Sequence, residues 1–78
     1  MPTVLRIGPY RFFFYSNERG EPPHIHVGRG NQLAKFWLDP VSVGRSRRFA
    51  AHELNTIRQH IEANLEQIRE AWHEHHGG

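Results

Sequence analysis

Two spacings of apolar residues run along this chain, and the change from one to the other divides it. Residues 3–7, 10–15, 24–27 and 33–38 are rich in aromatic and β-branched side chains. Such runs, bounded by turn formers, predict strands whose successive side chains reach opposite faces of a sheet. Gly8-Pro9 predicts a hairpin turn, 16–23 a polar loop stiffened by two prolines, 28–31 a turn, and Asp39-Pro40 the end of the fourth strand. Val41-Ser42-Val43 predicts a short fifth strand ahead of a loop at 44–49. From about Ala50 the period lengthens. Leu54, Ile57, Ile61, Leu65, Ile68 and Trp72 recur at steps of three and four residues, which draws one apolar stripe along a helix. Asn64 with Gln67 three residues later fits the start of a new helix. The stripe is therefore satisfied by one long helix over 50–76 or by two with a bend near residue 63.

These elements predict a single α+β domain over 1–78: an antiparallel sheet of four to five strands in 1–43, a loop at 44–49, and a long or bent C-terminal helix packed on one face. Alternation sorts the strand residues into two sets. Leu5, Ile7, Phe12, Phe14, Ile25, Val27, Ala34, Phe36 and Leu38 form an apolar face for the helical stripe to cover. The opposite set is Arg6, Arg11, Phe13, Tyr15, His24, His26, Lys35 and Trp37, expected as an open face of cations, imidazoles and rings.

Length and composition then narrow the setting. At 78 residues with no cysteine, the chain has neither disulfides nor thiolate metal sites to support it, and relies on packing or a protein partner. It begins without an apolar leader, and no run approaches the roughly 20 apolar residues that a membrane span needs. A cytoplasmic protein is the expectation, with no membrane role. The net charge is only +2, but residues 1–48 carry +5 and residues 49–78 carry −3. A basic half joined to an acidic half suits a protein that turns one face to nucleic acid or to an acidic partner.

The chemistry centres on Pro22-Pro23-His24-Ile25-His26-Val27, where the strand period puts both imidazoles on one face. Three uses are open to them. As acid and base they are able to cleave a phosphodiester, with His24 and His26 moving protons and Arg6 stabilising the developing charge. As part of a binding face they join Arg11, Tyr15, Lys35 and Trp37, whose cations and rings suit single-stranded RNA. The third use is structural, or the docking of a protein. A His-x-His strand also offers two metal ligands, but only Glu18, Glu21 and distant histidines are available as a third, so no metal or other cofactor is expected. His73 and His76 stand at helical spacing near the C-terminus, where the plainer expectation is a solvated, frayed helix end.

Several segments resemble a known family. Met1-Pro2-Thr3-Val4-Leu5-Arg6-Ile7-Gly8, Tyr10-Arg11-Phe12-Phe13-Phe14-Tyr15, Pro22-Pro23-His24-Ile25-His26-Val27, Ala34-Lys35-Phe36-Trp37-Leu38-Asp39-Pro40 and Glu70-Ala71-Trp72-His73-Glu74 are similar to the small prokaryotic proteins called domain of unknown function 4160. The resemblance implies the toxin half of a two-gene type II toxin–antitoxin module, held by a small cognate antitoxin. It assigns no catalytic residue. Two departures stand out: Phe49-Ala50-Ala51-His52-Glu53-Leu54 lacks the serine that caps this helix in similar sequences, and His75-His76 replaces an apolar ending.

Overall fold

The computed structural model describes residues 3–15 and 20–76. Five strands, β1 (Thr3–Ile7), β2 (Tyr10–Phe13), β3 (His24–Arg29), β4 (Gln32–Leu38) and β5 (Val41–Arg47), form an antiparallel sheet in the order β1-β2-β3-β4-β5. Two helices follow, α1 (Ala51–Ala63) and α2 (Leu65–His76). Ile7 pairs with Tyr10, Arg29 with Gln32 and Leu38 with Val41, so three of the connections are two-residue turns. Gly8 and Gly30 open two of them with φ of 55° and 58°, a hand of turn that matches the twist of a hairpin and that other residues rarely adopt. The α+β architecture with helices on one face is that expected from the pattern.

The core follows the alternation. Phe12, Ile25, Val27, Ala34, Phe36 and Leu38 from the sheet meet Ile57, Ile61 and Ile68 from the helices, and Phe14 and Trp72 close one end. Leu5, Ile7, Leu54 and Leu65 are half-buried at its margin.

Two strands are longer than the pattern predicts, and both run through a glycine. β3 continues through Gly28, which pairs with Arg11 and Leu33 and whose ideal Cβ position lies 3.4 Å from the Phe13 ring, an ordinary packing distance. β5 runs to Arg47, so the expected loop at 44–49 is mostly strand. Phe36 pairs with Val43 while Lys35 pairs with Arg45, which leaves Gly44 as the extra residue of a bulge. A Cβ on Gly44 would lie 2.8 Å from the indole nitrogen of Trp37. The glycine admits the indole, and the bulge sets Arg45 and Arg47 on the outer face.

The helical stripe breaks at Asn64, whose φ of −121° departs from the helix. Its side chain does not cap the helix that follows. The amide nitrogen instead donates to His60 O at 2.9 Å, closing α1, while the Asn64 carbonyl accepts from the Ile68 N–H at 3.0 Å and opens α2. At the other end of α1, Ala50 supplies no side-chain cap. Anchoring comes from Glu53, which accepts hydrogen bonds from Tyr10 (3.3 Å), Arg29 (3.1 Å) and Gln32 (3.2 Å) and so ties the first helical turn to the sheet.

The C-terminus is also not the frayed end expected. His76 stacks on Trp72 with ring centroids 3.7 Å apart and donates from Nδ1 to Trp72 O at 3.1 Å. His75 stacks on Phe14 and donates from Nε2 to Tyr15 O at 3.3 Å.

Candidate functional site

Sheet register brings the outer face together. His26 on β3 lies between Phe13 on β2 and Lys35 on β4, and Lys35 lies between His26 and Arg45 on β5. Arg47 stands one alternation further along β5, opposite Leu33. Tyr15, His26, Lys35, Arg45 and Arg47, with Glu21 at the rim, line a pocket of about 370 Å³. Lys35 pairs with Glu21 and holds its ammonium 4.5 Å above the Trp37 ring. Arg45 and Arg47 are exposed and have no carboxylate partner among the described residues.

The face carries like charges where a sheet built only for stability would avoid them. Arg6 lies directly opposite Arg11, and Lys35 directly opposite Arg45. Same-sign cross-strand neighbours repel. A face that keeps two such pairs, together with Arg47, presents a positive field suited to an anion.

The two histidines share this face and differ in access. His24 has no exposed surface: its ring lies 4.9 Å from Trp72, 5.2 Å from His26 and 5.7 Å from Trp37, and its Nδ1 donates to Pro22 O at 2.9 Å. Where β2 ends at Phe13, α2 closes over that end of the sheet and Trp72 reaches both Phe14 and His24. His26 is 7 % exposed, stacked on Phe13 at 5.7 Å and edge-on to Tyr15 at 4.4 Å. The face expected to be open is thus closed at the histidines. Only His26 lines the pocket.

The residues proposed from sequence are therefore only partly convergent. Tyr15, His26 and Lys35 line the pocket, with Trp37 beside them under Lys35. Arg11 stands at the flank, its guanidinium 4.5 Å over the Phe13 ring. Arg6 is two strands and two residues away from His26, roughly 12 Å at ordinary strand spacings, and does not meet the histidines. Arg45 and Arg47 are the cations that sequence reasoning missed. Their i, i+2 spacing was the available signal, hidden because Gly44 read as the start of a loop. Among the described residues no group of three or more His, Cys, Asp or Glu side chains is placed to hold a metal ion; Glu18 lies outside them.

Fold and site together define a small α+β domain with a cationic outer sheet face around a pocket lined by one imidazole, His26. The family model for the domain of unknown function DUF4160 matches residues 10–73, and the chain belongs to that family. The match spans β2 to the last turns of α2, with the whole pocket inside it and Arg6 outside. Neither a curated protein nor a solved structure matches the chain. No helix among the described residues is long and apolar enough to cross a membrane.

Proposed function

We propose that the protein is the toxin component of a bacterial type II toxin–antitoxin module and acts by gripping the phosphate backbone of RNA on its outer sheet face. The observation that carries the RNA reading is the gathering of Lys35, Arg45 and Arg47 around a pocket that also holds Tyr15 and His26. Arg45 and Arg47, which have no carboxylate partner among the described residues, gain most from a polyanion, because phosphate contacts release counterions, while Lys35 would exchange Glu21 for phosphate. Support for the toxin role is the sequence resemblance centred on the Pro22–His26 segment. The enclosed position of His24 favours binding over cleavage by a histidine pair, since a second proton-transfer group must reach the substrate.

Induction of the chain alone in a bacterial host is expected to slow growth, and co-expression of its partner gene to relieve this. Purified protein is expected to bind single-stranded RNA with a log–log salt slope of about −2, the value for three phosphate contacts on a single strand. The triple variant Lys35→Gln, Arg45→Gln, Arg47→Gln should keep its circular dichroism while losing RNA affinity, salt slope and toxicity together. Salt-independent binding, or a folded triple variant that remains fully toxic, overturns the RNA reading and leaves docking of a protein as the better account of the face.

A further inference from the structure

The edge of the sheet at β5 is long for a protein of this size, and its protection is limited to the Gly44 bulge and the charges of Arg45 and Arg47. Natural sheets blunt their edges with short strands, charges or bulges, because a row of unpaired N–H and C=O groups recruits other chains. β5 is seven residues long, as long as β4, and pairs on one side only. Among the described residues, no backbone hydrogen bond outside the helices and the sheet ladder involves it. It also bears Val43, an exposed large hydrophobic residue at 47 %. The outer-face side chains along it are Ser42, Arg45 and Arg47.

We propose that this edge accepts an extended acidic segment of a protein partner as an additional strand. Its carboxylates would lie over Arg45 and Arg47 on the outer face, and an apolar residue would sit beside Val43 on the other. Main-chain hydrogen bonds supply the affinity in such strand addition, and alternate side chains supply the choice of sequence. Charge selects the occupant. A second copy of β5 would add two more arginines to the same edge, which like-charge repulsion opposes, whereas an acidic segment neutralises the two cations already there. The inference rests on the edge geometry and does not need the RNA reading. Where both hold, the segment occupies the pocket's cations and displaces RNA.

The test uses the full chain and a short synthetic peptide of alternating Glu and Val. Amide deuterium exchange is expected to slow at alternate positions of β5 on adding this peptide, with β1 unchanged, and a Lys-Val peptide should do nothing. Successive strand N–H groups point to opposite sides, so of Ser42→Pro and Val43→Pro one removes only a solvent-facing donor and keeps the parent's melting temperature. That variant should bind the acidic peptide at least tenfold more weakly while its RNA affinity stays unchanged. Unaltered exchange in β5, protection at β1 instead, or full peptide binding by the folded proline variant overturns the proposal. If neither variant folds, exchange in the parent decides. Protection of β5 without displacement of RNA in the same samples separates failure of the RNA reading from failure of this one.

Discussion

Two residues apart and on the same face, His24 and His26 have different tasks. His24 fills space between Trp37 and Trp72 and donates to the Pro22 carbonyl, so its removal opens a cavity and takes that bond away. Truncation of a side chain of this size costs about 2–5 kcal/mol, and His24→Ala is expected to lose about 3 kcal/mol in urea unfolding. A melt unchanged from the parent would mean that the ring does not sit where Trp72 meets it. Gly44 is the second residue of this kind. Gly44→Ala drives a methyl into the indole of Trp37, and overpacking of this sort costs about 1–3 kcal/mol. Tryptophan emission should shift to longer wavelength as Trp37 is pushed outward; identical emission and stability would argue against the bulge.

At the scale of elements, what was legible in the sequence was periodicity. Alternation in Ile25–Val27 and Ala34–Leu38, and the three- and four-residue steps from Leu54 to Trp72, fixed which face meets which, because a strand or helix buries one side regardless of its neighbours. Long-range contacts were not legible in this way. Gly28 and Gly44 look like turns until Phe13 and Trp37 are seen lying against them, and Arg45 and Arg47 join the candidate site only once Gly44 is known to be a bulge. The closure of His24 depends on α2 passing beyond the end of β2, which no local pattern announces. The same closure sets two expectations for α2. Trp72→Ala should cost about 3–5 kcal/mol, a large share of the stability available to so small a domain, with thermal unfolding as the measure. Deletion of residues 75–78 removes the stacking of His75 on Phe14 and of His76 on Trp72, and should cost about 1–2 kcal/mol, since such ring pairs are each worth about 0.5–1.5 kcal/mol. A deletion that melts like the parent would restore the picture of a frayed end.

Across the whole molecule the uneven charge of the sequence becomes a polarity of the fold. Arg6, Arg11, Lys35, Arg45 and Arg47 belong to the outer sheet face, while the exposed carboxylates Glu66, Glu70 and Glu74 lie on α2 in the layer behind the core. The domain measures 33 × 22 × 21 Å, and screening over about 8 Å at physiological ionic strength weakens the field of the charges on the helix layer. A polyanion seated on the sheet face should therefore feel Arg45 strongly and the α2 carboxylates hardly at all. The expected outcome is that Arg45→Gln weakens single-stranded RNA binding several-fold at physiological salt, while the triple variant Glu66→Gln, Glu70→Gln, Glu74→Gln leaves it within error. At low ionic strength, where screening extends to about 30 Å, the triple variant should begin to bind faster than the parent as long-range repulsion is relieved. Equal effects of the two substitutions at physiological salt would place the RNA on the helices, and the sheet face would then have to be read as a surface for protein alone.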